Sequence, residues 1–384
     1  MKWFNFFIWF RPYSPIAILY FASITGSLAS ALLVFSIFSL STCLFEIPTG
    51  VYSDRIGRRK TLILGSLASL LSIICYAIGS SFFILILGAV LAGLQDALFS
   101  GNNDALLYDT LGETKEEMHF QEHSGKISAT LQIALGLSAL LGGIVANFSF
   151  AWVFWLSVLP QLLALIISFR IKEPQTINKA QTSNIFAHLK ESFHAFLTNS
   201  KLRKLSLSSI LRFSMGETQN QFMPAFLSTV WPLWSLGVAK AMNKFFSFLG
   251  SRYAGSIVSK FSTFRVLLIG EIIGIIFIVL AVIFPTIISP LLIAITAFFF
   301  GIAGVALSSL MQIEFTNEQR ATMGSINSLF SNTFFAVFAY IFGLIADHLG
   351  VIEPIIITQV LMLIVAYIYW NLFKSHEKQA LIAK

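Results

Sequence analysis

Charge is scarce in this chain. Only 11% of its 384 residues are Asp, Glu, Lys or Arg, where soluble domains carry about 25%, and that shortage excludes an ordinary soluble protein. Cysteine is scarcer still: Cys43 and Cys75 are the only two. Both lie in apolar stretches without metal-ligand spacing, so they read as small packing residues and exclude a disulfide framework. No Cys/His cluster, HExxH or GxSxG pattern occurs, and no GxxxxGKS/T phosphate loop. An enzyme, a resident metal or cofactor, and a nucleotide-driven machine are therefore not expected. Acidic residues, 18, are fewer than basic ones, 25. The excess does not point to nucleic acid, because the basic residues sit at the ends of apolar runs, where they set membrane topology.

What the chain has in abundance is apolar length. It is 56% hydrophobic, with a mean hydropathy of +0.81, so lipid is the solvent for most of it. About 20 apolar residues cross the hydrocarbon core as a helix, and a helix satisfies its own backbone hydrogen bonds there. The expected fold class is an all-α integral membrane protein. Hydropathy and turn residues place twelve spans near 3–24, 27–49, 61–79, 82–108, 124–147, 150–171, 204–230, 232–257, 264–284, 288–313, 320–346 and 353–373. Met1-Lys2-Trp3 and the aromatic run behind it begin like a signal peptide, but Arg11-Pro12 interrupts them and no small-residue cleavage site follows, so they read as the first span. One long polar stretch, 172–203, separates an N-terminal bundle of six, 1–171, from a C-terminal bundle of six with a short tail, 204–384.

Loop charge supports this count, because short cytoplasmic loops carry an excess of Lys and Arg. Arg55, Arg58, Arg59 and Lys60 follow the second span, Arg170 and Lys172 the sixth, Lys260 and Arg265 the eighth, and Lys374 and Lys378 the twelfth, whereas the turns near 25, 80, 148, 231, 286 and 350 have none. Both termini are therefore expected on the cytoplasmic side. The halves also repeat, as in many transporter folds. A shift of about 205 residues sets Gly50 on Gly255, Arg55 on Lys260, Lys60 on Arg265 and Gly65 on Gly270, and a shift of about 200 sets Gly143-Ile144-Val145-Ala146 on Gly343-Leu344-Ile345-Ala346.

The charged turn from Gly50 to Lys60 reads GxxxDRxGRR. Its glycines permit a tight turn and close backbone approach. This pattern, with Glu46-Ile47-Pro48-Thr49 before it and Gly343-Leu344-Ile345-Ala346-Asp347 late in the chain, resembles the major facilitator superfamily of secondary transporters. The resemblance implies two pseudo-symmetric six-helix bundles and alternating access. It also implies that Gly50, Asp54, Arg55, Gly57, Arg58 and Arg59 form a conformational latch, with Arg58 bridging to an acid on the fourth span, Asp104 or Asp109. A plain topological anchor would need neither Asp54 nor the glycines. The second-half loop departs from the pattern, with Ser259 where Asp54 would stand. Ala89 occupies the position four residues before Gly93 where many proton-driven exporters of that superfamily carry an arginine, which puts the usual antiport mechanism in doubt.

Ionisable residues inside spans are costly, and functional by default. Arg11 and Arg212 occupy equivalent places in the first and seventh spans, 201 residues apart. They either line a central cavity, as first helices of each half do in the resembled superfamily, or snorkel to the cytoplasmic interface. Lys240 and Lys244 fall one turn apart near the middle of the eighth span, where they either pair with an internal acid or meet an anionic solute. Gln95, Asn102 and Asp109 recur every seven residues on the fourth span with Asp96 and Asn103 beside them, a polar face that is either a cavity wall or a seam between helices. The seventh span adds Glu217, Gln219, Asn220 and Gln221; Glu217, Asp96 and Glu271 are the acids that could carry a proton.

Together these features lead to an expected secondary active transporter. It would export a small amphipathic organic compound in exchange for protons across a bacterial inner membrane, working as a monomer. The alternative within transport is uptake or exchange of an organic anion held by the buried Arg and Lys residues. The alternative of another class is a non-transporting membrane receptor or scaffold.

Overall fold

The computed structural model describes residues 1–113, 116–174, 199–314 and 319–382, with the side chains of residues 47, 51, 54, 55, 117, 121, 312–314, 319–323, 325 and 376–382 outside that set. Every regular element among the described residues is helical. Fourteen α-helices run in chain order: α1 (Lys2–Trp9), α2 (Ala17–Thr25), α3 (Leu28–Ile56), α4 (Arg58–Ile78), α5 (Phe82–Phe99), α6 (Asn102–Glu113), α7 (Phe120–Ala146), α8 (Phe150–Ser168), α9 (Ser200–Val230), α10 (Leu236–Phe261), α11 (Thr263–Ile283), α12 (Ser289–Glu314), α13 (Gln319–Leu349) and α14 (Ile352–Ile382). Most of the polar stretch between the halves, 175–198, lies outside the described residues.

The all-α membrane fold class is the one expected, with two expected spans broken. The first, read as a continuous 3–24, is two short helices separated at Arg11-Pro12-Tyr13-Ser14-Pro15. Two prolines in five residues remove backbone donors and push the residue before each out of helical geometry. The fourth, read as 82–108, breaks at Ser100-Gly101, where Gly101 takes φ +69°, a left-handed conformation that only glycine adopts at little cost. The seven-residue polar stripe from Gln95 to Asp109 is therefore not one face of one straight helix. Physical capping sets other boundaries: Ser27 and Ser81 accept from backbone N–H groups of Ser30 and Ile84, and Asn199 accepts from Lys201 and Leu202.

Nine helical stretches among the described residues are long and apolar enough to cross a membrane. The other three of the twelve expected spans fall short for visible reasons. The first is split by its prolines, while α9 and α10 carry a load of polar residues within their length.

The chain clusters into two compact units. Unit 1 holds the described residues before 175 together with Pro232–Ala241, and unit 2 holds those from 199 to 231 and from Met242 onward. In unit 1, α3 and α4 pack on α5, α4 on α8, and α1 on α7 and α8, while the turn at Leu233–Ser235 packs on α7. Its apolar centre joins Phe4, Ile8, Leu62, Phe99 and Leu106. An aromatic group gathers here too: Tyr20 stacks on Phe154 with ring centroids 4.1 Å apart, and Phe21 and Tyr76 close the group. All four are buried, so they are core packing. In unit 2, α11 packs on α12 and α14, and α9 on α13 and α14, around Leu205, Met215, Phe264, Leu267, Leu307 and Tyr369. Large side chains such as Phe83, 82% exposed, and Trp152, 70% exposed, face outward as lipid contact requires.

Candidate functional site

Unit 2 holds a partly open cavity of about 200 Å³, and its walls come from α9, α10, α11, α12 and α14. Polar groups on α9 enter it because Arg212, Gly216, Glu217, Gln219 and Asn220 follow one another over little more than two turns. α10 adds Asn243, Lys244 and Ser247, and α14 adds Gln359. The two long helices that carry the heaviest polar load in this unit, α9 and α10, thus supply most of the polar side chains of the cavity, with Glu271 of α11, Thr296 of α12 and Gln359 of α14 adding the rest. Met223, Ile275, Ile278, Phe299, Phe300 and Met362 complete it.

Four charges line this cavity, in two different conditions. Arg212 is buried and donates from Nε to Glu271 Oε2 at 3.2 Å, with its guanidinium carbon 4.2 Å from the centre of the Phe300 ring. Side-chain exposure is 8% on both partners of the pair. This geometry differs from snorkelling, in which the charge would reach the interface. Glu217 instead accepts from amides, Gln221 Nε2 at 2.6 Å and Asn220 Nδ2 at 3.5 Å. Lys244 is half-buried, and among the described residues it makes no ion pair or hydrogen bond. Gln359 ties α14 to α9 by donating to Gln219 Oε1 at 2.6 Å. Lys240, one turn before Lys244, falls in unit 1, lies outside the cavity lining and has an interaction partner of its own. The two lysines do not act as a pair.

In unit 1, Arg11 sits in the proline break, donating from Nε to Ile8 O at 3.2 Å and from Nη2 to Gln95 Oε1 at 3.4 Å. Gln95 passes its amide to Asp96 Oδ1 at 3.0 Å. Arg11 therefore reaches its acid through a neutral amide, and its guanidinium lies 4.6 Å from the Trp9 ring. Asn102, expected beside Gln95, sits in a different place. It is buried at the charged loop, where it accepts from Ser53 Oγ at 2.8 Å and donates to Arg58 O at 3.2 Å. Asn103 is half-buried next to it.

That loop is a compact cluster within unit 1. Arg58 Nε lies 3.7 Å from Asp109 Oδ2, and Arg58 Nη1 donates to Ser53 Oγ at 3.0 Å. Of the two acids considered as partners, Asp109 faces the arginine and Asp104 is exposed. Gly50 is exposed on α3; the side chains of Asp54 and Arg55 lie outside the described set. Gly57 takes φ +97°. From this turn the first two N–H groups of α4, Arg58 and Arg59, donate to the two carboxylate oxygens of Glu173 at 2.6 and 2.8 Å. A Cβ on Gly57 would meet Glu173 Oε1 at 2.6 Å, so the glycine is needed both for the turn and for the carboxylate's approach. Arg59 also donates to Phe169 O at 2.7 Å.

The sequence did not single out Glu173, and it offered Arg212 as a buried cation and Glu271 as one of three available acids without pairing them. The only hint of Glu173 was an acid standing among basic residues after the sixth span. Gln359, Asn243 and Ser247 gave no signal beyond being polar in an apolar run.

Comparison with known proteins places these features in context. The model of the Major Facilitator Superfamily matches residues 3–334. Among curated proteins, the chain is 23% identical over 222 residues to the uncharacterized MFS-type transporter YxaM of Bacillus subtilis, covering 56% of this chain and 54% of that protein. It is 28% identical over 167 residues to multidrug resistance protein 2 of the same organism, covering 41% and 40%. The chain thus spans about half or less of the length of these relatives. Among solved structures, the nucleoside transporter NupG matches with a TM-score of 0.80 at 13% identity over 97% of each chain, a likeness of fold.

Proposed function

Because the chain belongs to the Major Facilitator Superfamily, we propose that it is a secondary active transporter moving a small amphipathic organic compound by alternating access, with export coupled to protons. The observation that carries this reading is the unit 2 cavity, where carboxylate, ammonium and amide groups converge beside Phe299, Met223 and Met362. Such a mixture suits a solute with an apolar body and a few polar groups. The likeness to multidrug resistance protein 2 over part of the chain supports the outward direction. In this reading the bundles are 1–171 and 204–384, Arg11, Gln95 and Asp96 form the first half's share of the solute path, and Glu217 or Asp96 carries the proton. The cluster around Arg58 and Asp109 acts as the latch, favouring one conformation while intact. The protein works as a monomer in a bacterial inner membrane with both termini cytoplasmic.

One observation favours the organic-anion alternative: Lys244 faces the cavity without an ionic partner among the described residues. One observation weakens it, since Arg212 is already neutralised by Glu271. Counterflow of labelled amphipathic solutes in proteoliposomes, with and without a pH gradient, tests the proposal. Saturable exchange that a gradient accelerates supports it. Exchange indifferent to the gradient removes the proton, and absence of exchange across a broad panel leaves the receptor reading.

A further inference from the structure

Two charges of opposite sign in the unit 2 cavity lack an ionic partner among the described residues. Arg212 and Glu271 satisfy one another at 3.2 Å. Glu217, on α9, accepts only from the neutral amides of Gln221 and Asn220, and among the described residues it makes no ion pair. Lys244, on α10, makes neither an ion pair nor a hydrogen bond among the described residues. Both line the same cavity, yet they do not pair with each other.

An ammonium and a carboxylate held apart at a partly desolvated wall each keep an attraction for opposite charge that water screens poorly. A solute with a single charge satisfies one of them and leaves the other exposed to a medium that hydrates it badly. A solute with both signs satisfies both. The apolar residues that share this lining, Met223, Phe299 and Met362, have no charge to compete for and are suited to an aromatic or aliphatic body. A cavity of about 200 Å³ is of the order of one amino-acid-sized molecule.

We propose that this cavity binds a zwitterion of amino-acid type, with its carboxylate at Lys244, its ammonium at Glu217 and its side chain against Phe299 and the methionines. The proposal rests on the transport reading above and narrows its substrate class. No covalent step is involved; specificity comes from matching two fixed charges, which rejects singly charged relatives because one cavity charge stays unpaired.

The test uses the purified full-length protein and matched probes: phenylalanine and tryptophan, their methyl esters, which keep only the ammonium, and their N-acetyl forms, which keep only the carboxylate. Binding is read by ligand-induced thermal shift at neutral pH. The free amino acids should bind at least about tenfold more tightly than either capped form, the effect of one charge-assisted hydrogen bond. Lys244→Gln should erase the preference over the ester, and Glu217→Gln the preference over the N-acetyl form. This crossed pattern is one that general loss of folding cannot imitate. If Glu217→Gln fails to fold, the Lys244→Gln arm decides alone. Equal binding of capped and free forms, equal loss of both preferences in each variant, or no binding of any form overturns the proposal. Counterflow of a neutral or singly charged amphipathic solute by the same protein would then leave the transport reading standing, whereas absence of all counterflow would end both.

Discussion

The two joints that follow the second and eighth spans share a backbone and differ in chemistry. Gly57 and Ser262 lie 205 residues apart, the repeat offset seen in the sequence. Both take positive φ, +97° and +64°, and both accept from the N–H four residues on, Thr61 at 3.2 Å and Val266 at 3.1 Å. In unit 1 the joint is a glycine, and the carboxylate of Glu173 caps the helix that follows. In unit 2 it is a serine with no side-chain cap, and the position equivalent to Asp54 is Ser259. The first-span arginines diverge in the same way. Arg11 reaches Asp96 through Gln95, whereas Arg212 meets Glu271 directly in a buried pair. A duplicated fold has kept its backbone turns while moving its charges: unit 1 concentrates them at the loop, and unit 2 concentrates them around a cavity.

The largest expected effect separates the two arginines. Arg212→Ala leaves Glu271 as an unpaired buried charge and should cost about 3–5 kcal/mol, against about 1–2 kcal/mol for Arg11→Ala, which loses two hydrogen bonds to neutral acceptors, Ile8 O and Gln95 Oε1. Thermal unfolding in detergent measures both, and equal losses would dissolve the distinction between the units. Neutralising both partners sharpens it: Arg212→Met with Glu271→Leu should recover most of the loss, since a buried pair replaced as a unit by apolar groups is often neutral. If the double variant is as unstable as the sum of the singles, the partners are not coupled.

Smaller effects test the joints. Gly57→Ala places a Cβ in a left-handed conformation and against Glu173, so it should destabilise by about 1–2 kcal/mol. The reverse change, Ser262→Gly, should stabilise by up to about 1 kcal/mol, the relief of the same strain less the added freedom of the unfolded chain. A loss of stability there would mean that the serine side chain contributes something the backbone comparison omits. The smallest effect is Glu173→Ala, expected to cost about 1 kcal/mol as a helix cap does, with Glu173→Gln retaining part of it. No change on removing Glu173 would reduce the cap to a passing contact.

Much of the fold was legible because lipid imposes one simple rule. A span must be long, apolar and helical, so α4, α7, α8 and α11 to α14 stand out by hydropathy alone. The proline break at Arg11 to Pro15 and the Gly101 kink were visible as residues but not as breaks, because both lie inside runs apolar enough to override a local signal. For the cavity, sequence identified candidates but not partners. Arg212, Glu217, Asn220 and Lys244 were conspicuous as polar residues in membrane spans. Which of them are neutralised depends on contacts such as Arg212 with Glu271, 59 residues apart, and spacing along one chain carries no trace of those. Asn102 shows the converse: its periodicity pointed toward the cavity stripe, and the kink at Gly101 carried it to the loop.

The central claim is the proposal that the unit 2 cavity holds the solute of a transporter. Counterflow by wild-type protein and by Lys244→Gln, reconstituted into vesicles at equal density, tests it most directly. The account predicts saturable exchange by the wild type and at least about a tenfold loss in the variant at subsaturating solute, the scale of one charge-assisted contact. Undiminished exchange by the variant would contradict it.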